Sequence, residues 1–403
     1  MMENEQGFVK VTEEGLVIGN GKRMESVLER MERLGQRDFA KKFCEMQNWP
    51  YEQKVRHAEE KSLEFIVECQ KRGLNYHVSV GGLDSITLFL FLLSRFPREH
   101  IPAISASYLE DFSIQEVHKA IGVERLKPLV NEAATKAAGH TVYYSKASVI
   151  RKFGFPVLSK EKAAKIELLQ AQTPKSATVR HAIITGETGA YGGNQTHSRM
   201  KMPQKWLELF GGYENEREGT HYGKPDFKVS AKCCYYLKER PCDIWAKEHN
   251  SVPFLGLMAS EGGRREKSLK LHGCTYFGAS TIRCAPFAIF NRQDILQLAL
   301  DLRVPVPDIY GEIVRDPDGM LRTTGAQRTG CSMCGFGIHM EKRPHRFDRL
   351  RERKPKEWDF WMNRICTDPD TGEAYGWGRV LDYIGVGWRD VPGEAAQTSL
   401  FDG

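Results

Sequence analysis

The sequence predicts an α/β fold: a doubly wound, mostly parallel sheet with flanking helices. Three observations lead there. Residues 75–93 pass from a β-prone run (Tyr76, Val78, Val80) through Gly81-Gly82 to a helix-length apolar run ending at Leu93. Ile101–Tyr108 and Ile114–Ile121 repeat the strand-then-helix pattern. A composition of 41% hydrophobic and 27% charged residues over 403 positions fits a globular chain of one large or two ordinary domains.

In chain order, residues 1–50 read as an N-terminal helical appendage, charged and helix-patterned over Met24–Lys42. Tyr51–Arg72 reads as a helix leading to the first strand. Leu126–Leu129 and Val142–Tyr144 are candidates for further strands. Residues 51–300 are expected to form the α/β domain. Within it, residues 190–223 form an excursion rich in Gly, Asn, Thr and Ser around Trp206–Phe210, a candidate lid. Residues 301–403 make a C-terminal segment carrying a Cys-x-x-Cys and a basic, aromatic helix. It ends in a last helix over Trp377–Trp388 and a loose tail. The longest apolar run, Ile86–Leu93, is too short to cross a bilayer. No secretory signal is visible in the acidic start, so a cytoplasmic location is expected. The net charge of +6 mildly favours an anionic partner, which nucleotide alone would satisfy.

The chemistry centres on Gly81-Gly82-Leu83-Asp84-Ser85. Adjacent glycines let the backbone approach an anion, and Asp84 and Ser85 fall at a helix start, where free N–H groups and the dipole attract phosphate. An ordinary βα turn is the bland alternative. The ordered set resembles the pyrophosphate loop (Ser-Gly-Gly-x-Asp-Ser) of the adenine nucleotide α-hydrolase superfamily, which includes the N-type ATP pyrophosphatases and the phosphoadenylyl-sulfate (PAPS) reductases. Val80 stands where that loop has its leading Ser, and Ser79 is the nearest hydroxyl. The resemblance implies that Ser79, Gly81, Gly82, Asp84 and Ser85 hold nucleotide phosphates, and that Mg²⁺ offsets their charge. Glu110 and Asp111, after the second strand, are candidates for lying near the nucleotide. Gly154-Phe155-Pro156, followed by Ser159-Lys160, resembles the Gly-[Tyr/Phe]-Pro-x-x-Ser-Lys element of the reductase group. Ser159 and Lys160 then reach phosphate or sulfate; a plain helix N-cap at Ser159 is an equal alternative. Phe254–Glu266, with Gly262-Gly263-Arg264-Arg265, occupies the place of the family's Gly-x-Arg-x-x-Glu-Ser element. The resemblance implies Arg264 or Arg265 as the partner of the substrate's anionic end, with Glu261 positioning them; a merely solvated arginine pair is the alternative.

Ten cysteines suggest metal or redox chemistry rather than disulfides. Cys233-Cys234, preceded by Lys228 and Lys232 and followed by Lys238 and Pro241, together with Cys331 and Cys334, resembles the [4Fe–4S] motif of adenylyl-sulfate reductases. Structural zinc and buried free thiols are the alternatives. Cys284 is a further candidate ligand, able to replace Cys233. Cys44, Cys69, Cys242 and Cys366 read as core or surface residues, and Cys274 is undecided. His339–Lys354 is densely basic, with Trp358, Phe360 and Trp361 following. It is either a nucleic-acid face or an amphipathic helix with a solvated face, packed through Phe347, Leu350 and the tryptophans. His339 and His345 read as structural.

Three functions follow. The first is an ATP-using enzyme that adenylates an acceptor, releases pyrophosphate and takes part in sulfur transfer to tRNA or DNA, with a sulfur donor such as a cysteine desulfurase. The second is a reductase of adenylyl sulfate or PAPS. The C-terminus lacks the nucleophilic Glu-Cys-Gly-x-His tail of that group, since Cys366 sits in Arg-Ile-Cys-Thr-Asp. The third is a nucleotide- or nucleic-acid-binding module without catalysis. The resemblance implies Asp84, Ser85, Lys160 and Arg264 as catalytic residues. No membrane partner is expected, and a homo-oligomer is compatible with the sequence.

Overall fold

The computed structural model describes residues 8–12, 15–19, 27–171, 173, 177–187, 200–215, 219–278 and 281–389. The chain forms two compact units. One, the sheet unit, comprises Glu25–Leu129 and Lys238–Ser332; the other comprises Met1–Met24, Val130–Leu237 and Met333–Gly403. The units interleave along the chain, so a cut at residue 50 or at residue 300 does not separate them.

In the sheet unit, helices α1 (Val27–Met46) and α2 (Tyr51–Lys71) lead to strand β1 (Asn75–Ser79). Helix α3 (Leu83–Arg95), β2 (Ala103–Ser105), α4 (Phe112–Ala120) and β3 (Glu124–Arg125) follow. The second stretch adds α5 (Arg240–Glu248), β4 (Ser251–Leu255), α6 (Gly263–His272), β5 (Thr275–Phe277), β6 (Ile282–Cys284) and α7 (Arg292–Asp301). The six strands lie in the order β3-β2-β1-β4-β6-β5. All neighbours are parallel except β5, which runs antiparallel to β6. The expected α/β class with a mostly parallel sheet is therefore present.

β1 is central, in register with β4 from Asn75↔Ser251 to Ser79↔Leu255. Tyr76, His77 and Val78 are consecutively buried, as befits a strand covered on both faces. Helix α3 buries Leu83, Ile86, Leu88, Phe89, Phe91 and Leu92, each worth about 1.5–3 kcal/mol if fully removed from water. From β1 the chain runs to β2 and β3 on one side, and β4 pairs on the other. Strand order thus reverses between β1 and β4, and parallel sheets hold ligands at the carboxyl ends of strands at such a point.

Several expected elements differ. A β-hairpin, Phe8–Thr12 against Gly15–Gly19, precedes the first helix, in keeping with β-branched Val9, Val11, Val17 and Ile18. Helix α1 is no appendage, because Phe43 and Met46 join the sheet unit's core. The strand expected at Leu126–Leu129 lies earlier, at Glu124–Arg125. Leu126 N–H still donates to the Ser105 carbonyl at 2.9 Å, and Pro128, with no N–H, cannot continue the ladder. At Val142–Tyr144 there is a single bridge, Val130↔Tyr143, rather than a strand.

The other unit packs helices Lys146–Phe153, Lys160–Ala171, Ala177–Thr185, Gln204–Phe210, Arg346–Arg353, Pro355–Asn363 and Trp377–Tyr383. Phe155, Trp206, Phe210, Phe227, Phe347 and Trp377 form its core. Trp206–Phe210, expected in a lid, is therefore core; residues 188–199 of that excursion and the tail from residue 390 lie outside the described residues. No helix among the described residues is long and apolar enough to cross a membrane.

Candidate functional site

The loop after β1 is closed by its own hydroxyl. Gly81 N–H donates to Ser85 Oγ at 2.7 Å, and Ser85 Oγ donates to the Gly82 carbonyl at 3.0 Å. Ser85 is thus part of the scaffold. Val80 is buried, and its N–H donates to the Ile104 carbonyl at 2.9 Å. Val80 is therefore a core position, and Ser79 ends the strand beside Ile104 and Leu255.

Gly82 caps α3, but its missing side chain makes room for protein rather than for an anion. A Cβ there would stand 2.3 Å from Tyr310 Oη and 3.0 Å from Thr329 Oγ1. Leu83 N–H, the first helical donor, already gives its bond to Tyr310 Oη at 3.1 Å. Tyr310 Oη and Thr329 Oγ1 are 2.6 Å apart. Either hydroxyl can be the donor between them. Among the described residues, the N–H groups of Gly82 and Asp84 have no partner. They are the donors left for a phosphate. Gly256, just after β4, lets the loop approach: a Cβ there would lie 3.1 Å from Ser85 Cα and 3.2 Å from the Asp84 carbonyl.

The charges at the loop come from distant parts of the chain. Arg292, which opens α7, donates from Nη1 to Asp84 Oδ1 at 2.5 Å. Burial pushes the Asp84 carboxyl up, with Glu261 adding to the rise and Arg292 and Arg328 opposing it. Arg292 Nε and Nη2 are buried with no partner among the described residues. Glu261 is bonded by Arg265, and Arg328 Nη1 lies 3.8 Å from it. Arg265 and Arg328 are both exposed beyond half, while Glu261 is almost wholly covered. Two arginines are therefore presented by one buried carboxylate, geometry suited to an anion. The backbone of Arg264 lies in α6, but its side chain falls outside the described residues.

A second polar group joins α4 to the chain that follows β2. His118 is 2% exposed, and its Nε2 donates to the Gly81 carbonyl at 2.7 Å. That fixes the proton on Nε2 and leaves Nδ1 bare, buried and without a partner among the described residues. Burial lowers the imidazole's affinity for a second proton, against the Gly81 carbonyl and Glu110. Lys238 bonds both Glu110 and Cys331. Burial alone would pull its ammonium down, but Cys331 and Glu110 outweigh it and hold it above the usual range. Ser332 N–H donates to the Leu109 carbonyl at 3.0 Å. Glu110 is thus a buried ion-pair partner, while Asp111 caps α4, accepting from Ser113 N–H at 3.1 Å.

The other expected site residues are divided between the two units. Ser159 and Lys160 belong to the other unit, where Ser159 Oγ caps helix Lys160–Ala171 by accepting from Lys162 N–H at 3.2 Å. Cys233, Cys234 and Cys334 belong to that unit as well, and Cys331 to the sheet unit. Among the described residues, no group of three or more His, Cys, Asp or Glu is arranged to hold a metal ion. Cys284 is fully buried on β6, against the Lys61 carbonyl at 3.8 Å and Thr275. Its thiol is pushed far up by burial, which disfavours the thiolate a metal needs. Cys274, beside His57 Nε2 at 3.7 Å, is likewise buried and pushed up to about 12.

The basic segment follows the packing alternative. Arg343 grips Asp348, Arg346 bonds Glu341, and Phe347 is buried. His345 caps helix Arg346–Arg353, with Nδ1 accepting from Asp348 N–H at 3.2 Å. Tyr310, Thr329, Arg292, Arg328, Gly256 and His118 carry no motif in the sequence. An open groove of about 580 Å³ includes Leu300, Val304 and Ile313 in its lining, but no residue of the loop.

Comparison of the chain with protein families, with characterised proteins and with solved structures finds no match.

Proposed function

We propose that the sheet unit binds ATP with its phosphates at Gly81–Ser85 and directs an acceptor oxygen onto the α-phosphate. A bond forms between that oxygen and the α-phosphorus, the bond to the β-phosphate breaks, and pyrophosphate leaves with the electron pair. The observation that carries this reading is the loop's place, at the carboxyl end of β1 where strand order reverses against β4. In this reading the sheet is doubly wound. The N–H groups of Gly82 and Asp84 bind phosphate oxygens, and Arg292 keeps the Asp84 carboxyl in place. Arg265 and Arg328 receive a second anionic group of the nucleotide or acceptor.

Mg²⁺ would enter with the nucleotide, because the nearby carboxylates, Asp84 and Glu261, are already bonded to arginine. A [4Fe–4S] cluster on Cys233, Cys234, Cys331 and Cys334, serving sulfur transfer to tRNA or DNA, belongs to the same proposal on the strength of the motif. Thiols are the donors such a cluster takes, yet no metal-holding group is gathered among the described residues, and no step above depends on it. Iron in anaerobically purified protein, lost in Cys331→Ser, is the expected outcome; full retention in that variant removes Cys331 from the ligands.

One observation favours a second reading, a binding module without catalysis. Val80 is core, and Ser85 is spent closing the loop. Release of AMP and pyrophosphate from ATP, measured with and without bulk tRNA or DNA, separates the two. Release stimulated by a nucleic acid supports adenylation of that acceptor. Nucleotide binding without release supports the module, and binding of adenylyl sulfate or PAPS in place of ATP supports a sulfonucleotide enzyme.

A further inference from the structure

We infer that His118 is a positioning residue for the loop at Gly81–Ser85: by holding the Gly81 carbonyl through Nε2–H, it aims the Gly82 N–H at a phosphate oxygen of the nucleotide. The role rests on the reading of that loop as a phosphate site, and it accounts for the setting of one of the loop's two free donors.

Three successive peptide units make the turn, and each is held differently. The Val80–Gly81 unit is held through its N–H, which donates to Ser85 Oγ at 2.7 Å. The Gly82–Leu83 unit is held at both ends. Its carbonyl accepts from Ser85 Oγ at 3.0 Å and from Ile86 N–H at 3.1 Å, and its N–H donates to Tyr310 Oη at 3.1 Å. The Gly81–Gly82 unit between them has a single bond among the described residues, from His118 Nε2 to the Gly81 carbonyl at 2.7 Å.

That middle unit is also the one most able to turn over, because a glycine flanks it on each side. Reversal would carry φ of Gly82 from −83° to positive values, which glycine reaches about as readily as negative ones. A trans peptide is planar, and its carbonyl and N–H point opposite ways. In the observed orientation the carbonyl faces His118 on α4 and the Gly82 N–H points away from it. In the reversed one a carbonyl oxygen would stand in the place of that N–H and repel a phosphate. The bond from His118 selects the first orientation. It also polarises the amide, which strengthens the N–H at its other end.

Packing alone does not account for an imidazole here. His118 lies in the last turn of α4 and is 2% exposed, so it is covered by protein rather than offered to a ligand. Its Nδ1 is buried with no hydrogen-bond partner among the described residues. An apolar side chain would fill the same space without leaving a nitrogen unbonded. What the imidazole adds is the donor to Gly81.

The test uses the full chain. ATP affinity is measured by calorimetry, and the backbone amide signals of Gly82 and Asp84 are followed by NMR as ATP is added. His118→Leu should weaken ATP binding roughly 10–100-fold, the size of losing one hydrogen bond to a charged group. In that variant the Asp84 amide should still respond to ATP and the Gly82 amide should not. His118→Gln, whose amide nitrogen reaches the place of Nε2, should restore both the affinity and the Gly82 response. If His118→Leu fails to fold, His118→Asn, whose amide ends at the place of Nδ1, stands in for it. A histidine that only packs would alter the two amide responses alike, with no rescue by His118→Gln, and that result overturns the inference. ATP binding that is unchanged in the variant lacking the donor, with Gly82 still responding, overturns it as well and leaves the nucleotide reading standing. An original protein that binds no ATP removes the nucleotide reading, and the inference with it.

Discussion

Asp84 in the sheet unit and Asp348 in the other are both carboxylates bonded to an arginine, and their surroundings push them in opposite directions. Asp348 accepts from Arg343 Nε at 3.1 Å and Nη2 at 2.8 Å, and from His345 N–H at 2.9 Å. Burial opposes the shift, but the His345 side chain, 3.0 Å away through Nδ1, then Arg343 and the His345 N–H together bring the carboxyl down to about 2. Asp84 has one arginine nitrogen at 2.5 Å, and burial prevails, so its carboxyl rises. The first pair is saturated and holds a helix start together. The second leaves Arg292 Nε and Nη2 without partners among the described residues. Charges that are fully paired stabilise a fold, whereas a perturbed, under-bonded pair beside free backbone donors marks a place prepared for something else.

The comparison breaks most sharply at Asp84. Asp84→Asn should lower nucleotide turnover by on the order of 10²–10³-fold, the size expected when one preorganised electrostatic group is lost. It should cost little stability at pH 7. A carboxyl whose folded value is raised stabilises the fold below its unfolded value, near 3.9, and loses that contribution as pH rises through the folded value. At pH 7 the ionised group therefore gives no net support to be removed. Unchanged turnover would detach this pair from function.

Asp348→Asn tests the opposite sign. A carboxyl lowered to about 2 contributes stability above its unfolded value, near 3.9, and loses it as pH falls through 2. The variant should be less stable by about 2 kcal/mol at pH 7, with the gap closing toward pH 2 in denaturant titrations. Nucleotide affinity should not move. A gap that persists at pH 2 would mean that packing, not charge, supports this helix.

How far the sequence reached differs in the same way between the two regions. The strand, glycine pair and helix at 75–93 are legible because their residues are neighbours in the chain and their periodicity changes at Gly81. The packing of the basic segment is legible too, since Phe347 and Leu350 lie on one helical stripe with charges around them. What surrounds the loop is not. Tyr310 stands 227 positions from Leu83, and Arg292 stands 208 positions from Asp84. No local pattern requires either. Gly82 was expected to admit an anion, and only the structure reveals that Tyr310 Oη occupies that space. The N-terminal hairpin is not legible, because charged helical patterning over Met24–Lys42 dominates residues 1–50.

A smaller effect is expected at Gly256, where no positive φ is at issue and only space is. Gly256→Ala would put a methyl 3.1 Å from Ser85 Cα and 3.2 Å from Ser85 N, so the loop must shift by a few tenths of an ångström. Nucleotide binding should weaken about tenfold, roughly 1.4 kcal/mol, with Asp348 and its helix unaffected. Binding that equals the original protein's would show that the loop yields at no cost, and that its close fit against β4 does not matter for ligand.

The smallest effect is expected at Thr329, and it asks whether the hydroxyl absent at Val80 is replaced from elsewhere. Leu83 N–H donates to Tyr310, and Tyr310 shares a hydrogen bond with Thr329 in which either hydroxyl can donate; with Tyr310 as donor, the Thr329 proton is the free end of a three-member chain, and polarisation along such a chain strengthens its last donor. Thr329→Val keeps the volume and removes the end. One hydrogen bond is worth about 0.5–1.5 kcal/mol net, or a loss of roughly 2–10-fold in nucleotide affinity. The same change also strips Tyr310 of its side-chain partner, so melting temperature falls whether or not ligand touches Thr329. Tyr310→Phe separates the roles, because it breaks the chain in the middle and leaves the Thr329 hydroxyl in place. If Thr329 binds phosphate, Thr329→Val weakens affinity more than Tyr310→Phe does, and Thr329→Ser restores it. Equal affinities in Thr329→Val and Tyr310→Phe would make Thr329 a prop for the tyrosine and leave Gly82 and Asp84 as the loop's phosphate donors.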